Sequence, residues 1–499
     1  MTVASNPSAA AQLALNLAPP TQAFIGGRLV DAASDRTFAT INPATGEELA
    51  QIANCDQTDV DRAVKSARAA FNGPWGRMRP ADRKRLMLRW AGLVEANATE
   101  LASIETLEAG KPIADTADID LPETINTLRW HAEAADKIND QLTPSGPSVV
   151  SMVVREPIGV VAAVLPWNFP LLMAAWKLGP LLAAGNTAVL KPAEQTSMST
   201  IRLAELAVQA GLPDGVINVV PGFGETAGEP LGRHPDVDAL AFTGSTEVGR
   251  KFLHYAADSN LKRVLLECGG KNPFVVMADA DNLDSVANHA AESIYWNAGQ
   301  NCSSNSRLIV HQAVKDELMS LLLEKSREWT VGDPLDPATK IGAIIEPAHL
   351  SKIMENISAG HADGATCILG GRQVRESTGG LFVEPTIFDG VQPGTRLATE
   401  EVFGPVLSVI DFAQPEDGIQ LANDTAYGLA ASVFTSDLRT AHLAARAINA
   451  GTVTVNTYGE GDASTPFGGF KLSGFGGRDN GLDSHDQYTE TKTIWIDLT

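Results

Sequence analysis

The sequence predicts an α/β protein with two parallel-sheet α/β units and a strand at the chain's end. Three observations predict it. From residue 149 onward, short β-branched runs alternate with helical stretches, the pattern of parallel strands joined by crossover helices. The 499 residues are enough for two to four domains at roughly 100–200 residues each. The last run, 491–498, alternates Thr, Ile and Trp and reads as a terminal strand, which needs a partner in its own chain or in another subunit.

The elements follow in order. Residues 1–20 are Ala/Ser/Pro-rich, carry no charged side chain and read as a loose extension. Over 56–71, Val60, Ala63, Val64, Ala67 and Phe71 recur at helical spacing, and Leu86, Trp90, Leu93, Leu101 and Ile104 repeat the pattern over 83–107. Runs 149–154 and 158–164 are strands bounded by Pro157 and Pro166. Strands follow at 187–190, 217–220, 240–242 and 263–266, with a helix over 201–210 that ends at Gly211 and another that starts after Ser245. A second α/β unit begins with a strand at 274–277, a helix at 283–295, a strand at 308–310 and a helix at 313–328.

Composition narrows the function. Hydrophobic residues are 44% and charged residues 20%, which excludes disorder as the main description. The net charge is −22, from 60 Asp and Glu against 38 Lys and Arg, so neither nucleic acid nor an anionic membrane surface is an expected partner. The longest apolar stretches are interrupted by Pro166, Lys177 and Pro180, short of the roughly 18–20 residues of a span. The four cysteines, Cys55, Cys268, Cys302 and Cys367, form no CxxC pair, and no histidines make HExxH, so no metal is expected. Few cysteines and no positively charged leader predict a cytoplasmic protein.

Six segments could carry chemistry. Gly222 and Gly224 follow a strand, but the spacing is GxGxxxG, and a tight turn is the preferred reading. Gly244 and Ser245 open a helix, where free N–H groups suit a pyrophosphate or simply a cap. Lys191 and Glu194 stand at the carboxyl end of a strand, where ligands of open sheets bind and a carboxylate can meet ribose hydroxyls. Cys302 follows a Gly/Gln/Asn turn that could expose a thiol and offer backbone N–H groups to an oxyanion. Glu267 ends a strand beside Gly269 and Gly270, a place for a general base. Asn168, in a turn between Pro166 and Pro170, could donate to an oxyanion while Trp167 and Phe169 shape an apolar wall. In isolation most of these segments also fit a turn, a cap, a solvated loop or an inert buried thiol.

Together they resemble the aldehyde dehydrogenase superfamily. The resemblance is carried by PWNFP (166–170), KPAE (191–194), FTGS (242–245), ECGGK (267–271), GQNC (299–302), EEVFGPV (400–406) and PFGGFKLSG (466–474), in order over about 300 residues, with EAGKP (108–112) compatible. It implies Cys302 as nucleophile, Glu267 as general base, Asn168 and the Cys302 N–H as oxyanion hole, and Lys177 in proton relay. It implies Lys191 and Glu194 on the adenosine ribose, and Gly244 and Ser245 by the pyrophosphate. Glu401 falls on the nicotinamide ribose, with Phe403, Pro166, Trp167 and Gly269 around the cofactor. The Glu194 carboxylate favours NAD, with some NADP use open.

The implied fold has a dinucleotide-binding domain from 20–136 and 157–268, a catalytic domain over 269–472, and an oligomerisation element from 137–156 and 473–499 that would make dimers or tetramers. Residues 1–19 form a flexible extension. Glu267 and Cys302 are expected to converge. Cys268, where many relatives carry Leu or Ala, is expected to be buried, with a disulfide to Cys302 left open. Phe169, Met173, Trp176 and Phe467 are expected to line a substrate tunnel. The C-terminal tail is similar to bacterial γ-glutamyl-γ-aminobutyraldehyde and ω-aminoaldehyde dehydrogenases, so Glu460 and Asp462 could meet a distal ammonium or form a solvated acidic loop. A broad-specificity aldehyde dehydrogenase is the alternative. A cysteine hydrolase, a CoA-acylating enzyme and a silent structural protein are the competing classes; the joint presence of Cys302, Glu267 and Asn168 argues against the last.

Overall fold

A computed structural model describes residues 7–14, 17–459 and 461–499. Two large sheets dominate. The first has eight strands in the order Arg28–Val30, Ala23–Ile25, Ile217–Val219, Thr187–Lys191, Val160–Val164, Ala239–Gly244, Arg263–Cys268, Gly474–Phe475. Its five central strands are parallel, and antiparallel strands close both edges. The central strands are apolar and buried on both faces, as a sheet covered by helices requires. Their order reverses between Val160–Val164 and Ala239–Gly244. Crevices at such a reversal, beyond the carboxyl ends of the strands, are where open α/β sheets bind ligands.

The second sheet has seven strands, parallel except for the edge strand Thr366–Leu369. Helix Leu283–Tyr295 packs on it through Val286, Ala287, Ala290 and Ile294. A third, antiparallel sheet sets Val149–Pro157 between Gln141–Thr143 and the terminal strand Thr489–Asp497. The terminal strand thus pairs within its own chain. Its outer edge is open, with Trp495 65% exposed.

Two stretches differ from the sequence reading. The extension over 1–19 contains a helix, Pro7–Ala14, whose small side chains let it dock on helix Ala98–Ala109. Ala10 is buried there, and its carbonyl accepts from Ser103 Oγ at 2.7 Å. Within 473–499, Gly474–Phe475 joins the first sheet rather than the third, pairing with Leu266 and Glu267. Helix Pro347–Ala362 escaped the sequence reading. Among the described residues no helix is long and apolar enough to cross a membrane, and no group of three His, Cys, Asp or Glu could hold a metal ion.

Candidate active site

A cleft of about 210 Å³ opens at the strand-order reversal of the first sheet. Pro166, Trp167 and Asn168 enter it beyond strand Val160–Val164, and Gly244 and Ser245 beyond strand Ala239–Gly244. Gly269, Glu401, Phe403 and Met173 complete much of the wall, and Cys302 stands in the same cleft. Residues from the segments around 168, 245, 269, 302 and 401 therefore meet in one place, at the position that parallel-sheet topology favours.

The Cys302 turn is held from several sides. Helix Leu283–Tyr295 runs into a tight turn in which Asn297 and Ala298 take left-handed backbone angles. Gly299 is obligatory there, because a Cβ would come within 2.3 Å of the Gly404 carbonyl oxygen. Gln300 donates to the Ala343 carbonyl at 3.2 Å and accepts from the Ile345 N–H at 3.0 Å. Asn272 donates to the carbonyls of Cys302 at 2.7 Å and Ser304 at 3.0 Å. Asn301 donates to the Tyr458 hydroxyl at 3.0 Å. These bonds fix a partly exposed thiol on a rigid polar loop.

Asn168 is buried beside it. One amide hydrogen goes to the Gln300 carbonyl at 3.0 Å, which leaves the second for a group in the cleft. Phe169, Met173, Trp176 and Phe467 form one apolar cluster, against which Cys302 and Trp296 pack. A second cleft of about 190 Å³ shares Trp176 and Trp296 with this cluster and is also lined by Tyr458, Asp462 and Glu123. Asp462 accepts from the Ser464 N–H at 2.8 Å, and bonds to Ser464 hold its carboxyl below the usual range. Glu460 lies outside the described residues.

Glu267 is buried on strand Arg263–Cys268, between Cys302's cleft and a buried ion pair. A Cβ on Gly468 would sit 2.5 Å from its Oε1, and its Oε2 has no hydrogen-bond partner. Burial, then the charge of Asp479, pushes its carboxyl well above the ordinary range, while Lys177 and Arg478 oppose the rise. Lys177 Nζ meets Asp479 Oδ2 at 2.5 Å, both buried. Glu267 itself is absent from the lining of the Cys302 cleft; its neighbours Cys268 and Gly269 reach it. Cys268 is a buried free thiol whose Sγ would lie 3.3 Å from a Cβ on Gly249, and burial raises it to about 12. It is protonated at neutral pH and stands in no disulfide.

Glu401 accepts from the Gly270 N–H at 2.8 Å, and burial raises its carboxyl to about 7. Gly269 is required beside it, since a Cβ would come within 2.1 Å of the carboxylate. Phe403 meets Trp167 edge-on at 5.4 Å. Ser245 caps helix Thr246–Ala257, accepting from the Val248 N–H at 3.3 Å, so the start of a twelve-residue helix faces the cleft. Lys191 and Glu194 lie apart from it. Lys191 donates to the Pro192 carbonyl at 2.8 Å and pairs with Glu194 at 3.3 Å, and burial lowers its ammonium. Glu194 lines a different cleft of about 370 Å³ with Phe38 and Phe223, which shares no lining residue with the Cys302 cleft. Gly222 and Gly224 line neither the Cys302 cleft nor the second cleft.

The sequence reading missed His349 and Lys352, which line the Cys302 cleft from helix Pro347–Ala362. His349 donates to the Phe403 carbonyl at 2.7 Å, and burial lowers its imidazole to about 4, so it is neutral. It also missed Asp479 and Glu123.

The aldehyde dehydrogenase family profile matches residues 29–494. The chain belongs to the aldehyde dehydrogenase family. It is an enzyme of the NAD(P)-dependent aldehyde dehydrogenase class. It is similar to the aminoacetaldehyde dehydrogenase of Pseudomonas aeruginosa, 57% identical over 490 residues that cover 98% of each chain. A γ-glutamyl-γ-aminobutyraldehyde dehydrogenase structure from Burkholderia cenocepacia superposes with a TM-score of 0.96 at 47% identity, covering 99% of this chain and 100% of that one. An indole-3-acetaldehyde dehydrogenase in complex with NAD+ superposes with a TM-score of 0.97 at 50% identity, covering 98% and 99%.

Proposed function

We propose that this protein oxidises ω-amino aldehydes to carboxylic acids with NAD, through a thioester on Cys302. The observation that carries the reading is the meeting of Cys302, Asn168, Glu401 and the Ser245 helix start in one cleft. The cleft fits the cofactor. Gly269 leaves room for the Glu401 carboxylate, which can accept from ribose hydroxyls, and the helix start offers N–H groups to a pyrophosphate. Pro166, Trp167, Gly244, Phe403 and Gly269 would wall it in, and Lys191 with Glu194 would hold the second ribose. A carboxylate at that ribose disfavours a 2′-phosphate, which supports NAD over NADP.

In this reading the Cys302 thiolate adds to the aldehyde carbon, forming a C–S bond and an alkoxide. The Asn168 amide and the Cys302 main-chain N–H receive that oxyanion; one such donor contributes about 3–4 kcal/mol. NAD held in the cleft by the Ser245 helix start and Glu401 would supply the acceptor for the hydride lost from the same carbon. Glu267 then takes a proton from water, which attacks the resulting thioester; the C–S bond breaks and the acid departs. Burial raises the Glu267 carboxyl above the ordinary range, which makes it a stronger base toward water than an exposed carboxylate. The Lys177–Asp479 pair behind it gives the proton a buried route onward.

Phe169, Met173, Trp176 and Phe467 would flank the aldehyde chain, and Asp462 at the mouth would meet the distal ammonium. The aminoacetaldehyde and γ-glutamyl-γ-aminobutyraldehyde relatives support an amino-bearing substrate. Trp176, Trp296 and Tyr458 along the mouth favour a second reading, aromatic aldehydes. The open edge of strand Thr489–Asp497 supports a homodimer or homotetramer. Buried free thiols at Cys55 and Cys268 support a reducing, cytoplasmic compartment.

The test is NAD reduction with aminoacetaldehyde, 4-aminobutyraldehyde, indole-3-acetaldehyde and hexanal, with C302S as control. Highest kcat/KM for the amino aldehydes, and loss of all turnover in C302S, is the expected result. A preference for the indole substrate selects the second reading. Turnover that survives C302S overturns the mechanism.

A further inference from the structure

A buried charge cluster lies behind the wall of the Cys302 cleft. Lys111, in the EAGKP segment, is 1% exposed, an unusual place for an ammonium. Its partners explain why it is there. It pairs with Asp120 and lies 4.0 Å from Glu105 Oε1. Its remaining contacts face the site. Nζ donates to the Asn168 main-chain carbonyl at 3.2 Å and sits 3.8 Å from the centre of the Phe169 ring.

The cluster grips the segment 168–171 at three successive points. Lys111 holds the Asn168 carbonyl, which also accepts from Asn297 at 3.1 Å. Lys111 presses one cation–π contact onto Phe169, whose ring packs against Trp296 at 5.2 Å. Glu105 Oε2 accepts from the Leu171 N–H at 3.2 Å, so it satisfies the start of helix Pro170–Ala184. A desolvated cation over an aromatic face is attractive beyond the packing of its stem. An amide donor that must meet an oxyanion works only if its direction is fixed, because catalytic gain is steep in position.

We propose that Lys111 is a positioning residue, which aims the Asn168 amide at the oxyanion site and sets the Phe169 ring in the substrate wall. The inference rests on the reading of Asn168 as an oxyanion donor. Lys111 touches no reacting atom; it acts through residues 168 and 169. The tether to Asp120 fixes the ammonium, and the Asn168 carbonyl and Phe169 ring take their places from it. This assigns a function to the EAGKP lysine and to Asp120.

The test uses the full-length K111M/D120N variant, which removes the charge pair as a unit, together with N168A and the triple variant. Four quantities are read: kcat with the best aldehyde, KM, NAD affinity, and the rate at which iodoacetamide alkylates Cys302. Alkylation needs the thiolate but no oxyanion hole. The expected result is a kcat loss of about 10–100-fold in K111M/D120N, larger than any rise in KM, with alkylation and NAD affinity within about twofold of wild type. In kcat the triple variant should lose no more than N168A alone, since the oxyanion effect of Lys111 runs through Asn168, whereas its hold on Phe169 is read in KM. Wild-type kcat in a folded K111M/D120N overturns the proposal. So do equal losses in alkylation, NAD affinity and kcat, which mark a merely structural role. An N168A variant with undiminished kcat removes the oxyanion reading itself. Should K111M/D120N fail to fold, D120N alone unties the ammonium; a three- to tenfold kcat loss is expected there, and wild-type kcat overturns the proposal.

Discussion

The floor of the Cys302 cleft and the second cleft across its apolar cluster, termed the mouth, are built in opposite ways. At the floor, Asn168, Asn272, Asn297, Gln300 and Asn301 bond to the backbone around Cys302 or to a neighbouring hydroxyl, and most are buried. At the mouth, Asp462 and Glu123 are exposed, and Asp462 is held by Ser464 of its own loop. A buried amide that loses its partner costs about 1–3 kcal/mol, so floor residues constrain one another. An exposed carboxylate exchanges its partner for water at almost no cost. The chemistry therefore rests on residues that cannot change singly, and substrate choice rests on residues that can.

The largest effect that would sharpen this contrast is at Glu267. E267Q should lower kcat by about 10²–10⁴-fold while the first hydride equivalent still appears as a burst, because the thioester forms but is not hydrolysed. The sign of the pH dependence follows from the raised carboxyl. It is protonated, and useless as a base, until the pH exceeds its raised value, so wild-type kcat falls as the pH drops through that value. Asp479 raises Glu267 and Lys177 lowers it. D479N should therefore move the acid limb of the profile to lower pH, and K177M to higher pH. A limb that stays in place in both variants separates Glu267 from the buried pair.

A middle-sized effect is expected where floor meets cofactor. G269A would push a methyl group into the Glu401 carboxylate. NAD affinity, read by fluorescence titration, should weaken about tenfold, or ~1.4 kcal/mol. E401Q tests the same contact without the clash. Because burial holds Glu401 at about 7, NAD binding should weaken in wild type as the pH falls below about 7, where the carboxyl gains its proton. The slope should vanish in E401Q. Equal NAD affinity in G269A and wild type would show that the cleft tolerates a displaced Glu401.

The same contrast governs what could be read from residues alone. Asn168, Ser245, Glu267 and Gly269 stand at or just beyond the ends of apolar strands, where runs of β-branched residues are easy to see and topology gathers the motifs. His349 and Lys352 had no such mark: their helix packs into the second core through Ile353 and Ile357 and reaches the cleft from there. Gly474–Phe475 is too short for any period to show, yet it pairs with Glu267. The Pro7–Ala14 helix reads as a low-complexity tail because its alanines gain burial from tertiary contacts, chiefly with helix Ala98–Ala109. Lys111 was visible as a motif letter, but its grip on Asn168 and Phe169 needs three dimensions.

The smallest effect belongs to the mouth. Asp462 keeps its charge, since Ser464 holds its carboxyl below the usual range. Its attraction for an ammonium is screened, because exposed ion pairs contribute about 0.2–1 kcal/mol. D462N should therefore raise KM for 4-aminobutyraldehyde by about two- to fivefold, leave kcat alone and leave hexanal unaffected. Added salt should shrink the difference between D462N and wild type, because salt screens exposed charges. A change at Asp462 that lowered kcat for both aldehydes would mean that the mouth is coupled to the Cys302 turn, through Tyr458 and its bond to Asn301. The division between a rigid floor and an independent mouth would then fail at that hydroxyl.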